Sequence, residues 1–173
     1  MRYRLFISIF LLFFITGCNN EYESIEEAIQ SQRDEPITIL NYDEELQVVY
    51  YVENNQYILG EYEKHNGEYV YLPENSIGHR PSTKDEIPII FKESELGKKR
   101  EVIYGSIITE LYEVDTFEIH YGSGEVQSIK AKNNSFITLP LNAGENSDES
   151  IGVKGVILVK ALDQKGELIT SLP

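Results

Sequence analysis

The sequence predicts a mainly β protein of α+β type: a short N-terminal helix on an antiparallel meander, followed by a small β-sandwich, immunoglobulin-like in outline. Three observations lead there. Runs rich in Val, Ile, Tyr and Thr recur along the chain at the length of strands. Turn-forming pairs such as Asn54-Asn55, Asn66-Gly67 and Asn133-Asn134 fall between them. Only one stretch, near residue 25, places its apolar residues at helical spacing.

The first seventeen residues do not belong to that fold. Met1-Arg2-Tyr3-Arg4 is a basic start, and Leu5 to Ile15 is apolar except for Ser8. That is the layout of a secretory signal, and the run is too short for a membrane span, which needs about 20 apolar residues. Ile15-Thr16-Gly17-Cys18 follows. It resembles the bacterial lipobox, in which the cysteine sulfur receives a diacylglyceryl group and the bond before it is cut. The resemblance implies that Cys18 becomes the lipidated first residue of the mature chain, held on the outer face of the cell membrane. Two acyl chains anchor stably where a single chain does not.

Cys18 is the only cysteine, so no disulfide can form within the chain. Removing residues 1–17 takes Arg2 and Arg4 away and leaves 13 basic against 29 acidic residues, a net charge of −16. Such a surface repels nucleic acid and anionic headgroups, so no nucleic-acid partner is expected.

Residues 18–24 read as a lipidated polar tether. Ser24-Ile25-Glu26-Glu27 has capping-box spacing, and Ile25, Ala28 and Ile29 share one face, which predicts a helix over 25–32 that ends before Pro36. From Ile37 onward Thr38, Leu40 and Tyr42 alternate, and with Leu46–Glu53, Gln56–Glu63 and Glu68–Leu72 they predict a meander; residues 25–92 form the first structural unit. Residues 73–86, with two prolines and a glycine, predict a long loop. Ile87–Phe91, with Pro88 inside it, predicts an edge strand.

Residues 100–173 form the second unit. Strands are expected at Glu101–Thr109, Asp115–Tyr121, Glu125–Ala131, Ser135–Leu141, Val153–Leu162 and Glu167–Leu172, a spacing that suits a sandwich. Phe117, Ile119 and Tyr121 alternate with Glu118 and His120, giving one wet face. Val156-Ile157-Leu158-Val159 is apolar throughout, which predicts a central strand covered on both sides.

The order of lipobox, Ser-Ile-Glu-Glu-Ala-Ile helix, Val-Val-Tyr-Tyr strand, the hairpin from Gly60 to Val70, the Tyr104-Gly-Ser-Ile strand and the terminal Val159 to Ile169 stretch is similar to small lipoproteins of Bacillus-type Firmicutes. The similarity spans most of the chain. It implies a cellular setting, the bacterial envelope, and no assigned activity.

Motifs for chemistry are few. His65, His79 and His120 lack metal-ligand spacing and are expected to be exposed. Ser123 lies in Gly122-Ser123-Gly124, a hairpin turn and not a nucleophile elbow. No phosphate-binding glycine loop is present, and neither cofactor nor metal is expected. Asp43-Glu44-Glu45, Asp85-Glu86 and Asp148-Glu149 could supply an acid and a base, but an acidic chain shows such clusters by chance and solvated loops account for them better.

Tyrosine is the more informative residue. Tyr69 and Tyr71 share one side of a strand, Tyr57 falls on a neighbouring strand, and Tyr50 and Tyr51 lie on the strand before. Tyr57, Tyr69 and Tyr71 could form an aromatic binding face; alternatively, the helix covers them and they are core. Two function classes follow. One is a non-enzymatic binding or interaction module for an envelope protein or cell-wall component. The other is a cell-wall-acting enzyme or enzyme inhibitor using exposed carboxylates.

Overall fold

Ser24 sets the start of the one helix among the described residues. Its backbone is extended, and its Oγ accepts a hydrogen bond from the Glu27 amide at 3.2 Å, so helix α1 (Ile25–Gln30) begins there. The computed structural model describes residues 22–81, 89–95, 101–141 and 155–173. The helix ends two residues short of the expected stop. Gln30 is the reason: its amide donates to the carbonyls of Arg33 and Glu35 and accepts from the Ile37 amide, clamping the link into the first strand. Among the described residues, no helix is long and apolar enough to cross a membrane.

The meander forms as expected. Strands β1 (Ile37–Asp43), β2 (Val48–Glu53), β3 (Gln56–His65) and β4 (Glu68–His79) make one antiparallel sheet in chain order, called here sheet A. Asn54 and Asn55 both take positive φ in the β2–β3 turn, as do Asn66 and Gly67 in the β3–β4 turn. These are the conformations that two-residue hairpins require.

β4 is longer than the sequence suggests. Pro73 has no amide to donate, so pairing with β3 lapses after Leu72, opposite Glu61. It resumes at Ile77, opposite Leu59, and continues to His79, opposite Tyr57. The residues between bulge outward, tied by Ser76 Oγ to the Pro73 carbonyl at 2.7 Å and by Asn75 Nδ2 to Glu61 Oε2 at 2.6 Å. The expected loop at 73–86 is therefore a bulged strand as far as His79; residues 82–88 lie outside the described part.

Two further sheets are formed by the rest of the described residues. Sheet B has the order β5-β6-β9, made of β5 (Ile89–Glu95), β6 (Glu101–Ile107) and β9 (Ser135–Thr138). Sheet C has the order β11-β10-β7-β8, made of β7 (Thr116–Tyr121), β8 (Val126–Lys130), β10 (Val156–Leu162) and β11 (Leu168–Leu172). The edge strand near Ile89 thus pairs with β6 and extends the second sheet, not the meander.

Sheets B and C face each other as a sandwich. Ile103, Ile107 and Phe136 from sheet B pack on Phe117, Ile119, Tyr121, Val159 and Ala161 from sheet C, all buried. Gly105 makes room for this: a Cβ there would collide with the Ile90 carbonyl and meet the Phe136 ring at 2.8 Å. The other face of sheet B packs on sheet A, where Val102 and Tyr104 join Val48, Tyr50 and Leu59. Tyr50 Oη and Ser106 Oγ share a hydrogen bond of 3.1 Å across that interface. The helix covers the remaining face of sheet A with Ile25, Ala28 and Ile29. The layers therefore run helix, sheet A, sheet B, sheet C, and the fold is mainly β, with one short helix among the described residues.

The outermost layer corrects one expectation. β10 is central in sheet C, yet among the described residues only its Val159 and Ala161 side is buried: Leu158, Lys160 and Leu162 on the other face are half-buried, and Ile157, at the register shift between Val156 and Leu158, is 61 % exposed. An apolar run marks a strand without specifying how many layers cover it.

Candidate functional site

The three tyrosines expected to form one face are divided between two. Strand residues alternate sides, and Tyr51, Tyr62, Tyr69 and Tyr71 turn toward the helix while Tyr50 and Tyr57 turn toward sheet B. Tyr71 is fully buried. Its hydroxyl lies 2.8 Å from that of Tyr51, and Arg33 Nη2 donates to both, at 3.0 Å to Tyr51 and 3.2 Å to Tyr71. The Tyr71 ring lies against Gly60, where a Cβ would sit 2.7 Å from it. Tyr69 is partly buried, packed on Tyr62 and under the Lys64 ammonium. Tyr69 and Tyr71 are core residues beneath α1, so no binding face contains all three tyrosines.

Tyr57 belongs to a different cluster. Its ring stacks on His79 at 6.5 Å between centroids and tilts against Tyr50 at 6.2 Å. Tyr104 closes the group, 5.2 Å from Tyr50 and 5.8 Å from His79. Burial pushes the Tyr104 hydroxyl up to about 12 and raises those of Tyr50 and Tyr57. Burial, with help from the Lys92 charge, also lowers the His79 pKa below its ordinary value and favours the neutral ring. Among the described residues, nothing hydrogen-bonds its Nε2. His79 is thus a half-buried ring of an aromatic cluster and not the exposed loop residue expected. His65 is exposed as expected and pairs with Glu63; His120, half-buried, pairs with Glu118 at 3.1 Å.

The cluster opens at one end of sheet A. There the Asn54-Asn55 turn, Tyr57, Arg80, Pro81 and Ile108 line a groove of about 430 Å³. This is within the usual range for a small-molecule site. Asn54, Asn55 and Arg80 are exposed, and Tyr57 presents the outer part of a half-buried ring. The set supplies an aromatic surface, amides that donate and accept, and a guanidinium fork that suits a carboxylate or phosphate.

Comparison with known proteins returned nothing: no family model, curated protein or solved structure matches the chain.

The expected carboxylate pairs are placed as follows. Asp43 Oδ1 accepts from the Glu45 and Leu46 amides at 2.9 and 2.8 Å, and Glu44 pairs with Lys64 at 3.1 Å, so this group shapes and braces the β1–β2 turn. Asp85-Glu86 and Asp148-Glu149 lie outside the described residues, as does Cys18. Ser123 Oγ donates to Glu125 within the β7–β8 turn, where Gly124 takes positive φ. Among the described residues, no three His, Cys, Asp or Glu side chains gather to hold a metal ion.

Sequence reasoning selected Tyr57 but missed Arg80, Pro81 and Ile108. A strand continuing past Pro73 brings Arg80 and Pro81 beside the Asn54-Asn55 turn. The signal that could have found them was the apolar Ile77 just before Gly78 and His79, three residues short of Arg80.

Proposed function

We propose that this chain is a lipid-anchored extracytoplasmic binding module at the cell envelope, without an enzymatic role of its own. Cys18 carries the anchor, and the groove at the Asn54-Asn55 turn takes the ligand. The groove lining is the observation that carries this reading: ring, amides and guanidinium together are chemistry for recognition. They suit an anionic cell-wall component that lays an apolar sugar or peptide surface on Tyr57 and offers a carboxylate or phosphate to Arg80. The partner is thus a wall component more readily than a protein.

The test is a calorimetric titration of soluble glycan-peptide fragments of cell wall into the full chain. Binding that is weakened by Tyr57→Leu and by Arg80→Gln supports the proposal; binding unaffected by either substitution, or absent altogether, sinks it. The anchor has its own test. Cys18→Ala should abolish acylation and release the protein from membranes, and retention of both would remove the envelope setting.

A further inference from the structure

Sheet A has two distinct ends, and the path of the N-terminal segment distinguishes them. Tyr22 is bonded to the edge of β4: its amide donates to the Tyr69 carbonyl at 3.1 Å, and the Tyr69 amide donates to the Tyr22 carbonyl at 2.8 Å. Tyr69 is the second residue of β4, directly after the Asn66-Gly67 turn. From Tyr22 the chain enters α1 and crosses to the opposite end, where Arg33 meets Glu53 beside the Asn54-Asn55 turn. The first described residue, Tyr22, is therefore at the 66–67 end, and the groove is at the other. β3, ten residues long, separates the two turns by about 30 Å at the rise of an extended strand.

Cys18 precedes Tyr22 by four peptide links. Fully extended, they reach no more than about 14 Å. The headgroup layer alone takes up about 5 to 7 Å of that, half the difference between the whole bilayer and its hydrocarbon core.

We propose that the end of sheet A formed by the Asp43–Gln47 and His65–Tyr69 segments lies against the phospholipid surface, and that the groove is thereby presented away from it. The proposal rests on lipidation of Cys18. Reach sets this orientation, and adhesion does not: Asp43, Glu44, Glu45, Glu63 and Glu68 outnumber Lys64 and His65 at that end. Repulsion from anionic headgroups can stretch so short a link but cannot lengthen it. A ligand in the wall, outside the membrane, would then meet the groove without the body having to turn over.

The sequence offers a clean experiment. Cys18 is the only cysteine, and acylation consumes its thiol, so an introduced cysteine is the only free one. Glu45 is exposed at the proximal end and Glu35 at the distal end. The acylated full chain, carrying a fluorophore at Glu45→Cys or at Glu35→Cys, is reconstituted in phosphatidylcholine vesicles whose headgroups bear a short-range quencher. The Glu45→Cys label should be quenched several-fold more strongly than the Glu35→Cys label. Inserting a long Gly-Ser spacer between Asn20 and Glu21 should erase most of that contrast. Equal quenching at the two positions, stronger quenching at Glu35→Cys, or a contrast unaffected by the spacer would each overturn the proposal. Cys18→Ala, run in parallel, separates the two failures: a variant that stays on the vesicles defeats the lipid anchor itself and not merely the orientation.

Discussion

Sheet A and sheet C contain similar apolar runs and bury them differently. Val48-Val49-Tyr50-Tyr51 has all four side chains buried, because α1 covers one face and sheet B the other. Val156-Ile157-Leu158-Val159 has one buried residue in four, because among the described residues sheet C has a neighbour on one face only. The difference lies in what the rest of the chain supplies as cover, which no window of four residues encodes. It also separates the core tyrosines from the one that lines the groove. Those under α1 are locked in hydrogen bonds, while Tyr57 lies where the cover from sheet B runs out.

The largest expected effect comes from the layer the sheets share. Phe136→Ala removes a fully buried ring between sheets B and C and should cost about 3 to 5 kcal/mol in urea unfolding. A cost below about 1 kcal/mol would show that sheet C is not firmly packed on sheet B.

Next comes the helix side of sheet A. Tyr71→Phe leaves the Tyr51 hydroxyl and Arg33 without a shared partner, which should cost about 1 to 3 kcal/mol. Equilibrium unfolding of this variant measures it, and no loss would mean that the hydroxyl network contributes nothing.

Both sides of sheet A bear on alkaline stability. Burial holds Tyr62 and Tyr104 at about 12, whereas an unfolded tyrosine ionises near 10. Folded pKa values above the unfolded value give stability that is complete below pH 10 and is lost as pH rises toward 12. Tyrosinate absorbance and circular dichroism should therefore change together in one cooperative step above pH 10. Smooth ionisation with the fold intact would contradict the burial.

At acid pH the sign reverses for His79, because its folded pKa lies below the unfolded value. Its contribution is present above about 6.5 and is lost as pH falls below it, since the unfolded chain binds the extra proton. His79→Gln should flatten the stability profile below that pH. An unchanged slope would relieve His79 of the role.

The smallest effect belongs to Ile157, exposed at the register shift of β10. Ile157→Ser should change stability by no more than about 0.5 kcal/mol. A large loss would mean that something covers sheet C.

Much of the architecture was legible in local chemistry. Ser24, Pro36, the paired asparagines and the Phe117–Tyr121 alternation each act within a few residues of themselves. Pro73 misled because a bulge and a loop begin with the same loss of an amide, and only resumed pairing at Ile77 separates them. The site was legible in part. Tyr57, Tyr69 and Tyr71 were seen together, but which face each occupies depends on pairing register across β3 and β4. Arg80 reaches the Asn54-Asn55 turn only through that register, some 25 residues away in sequence.

The most direct test of the binding account is the titration of wall fragments against the wild-type chain and Arg80→Gln. Arg80 is exposed, so the substitution should leave the fold intact. A charge-assisted hydrogen bond contributes about 1.5 to 3 kcal/mol, so the variant should bind at least about tenfold more weakly. Equal affinity for the two proteins would contradict the groove as the binding site.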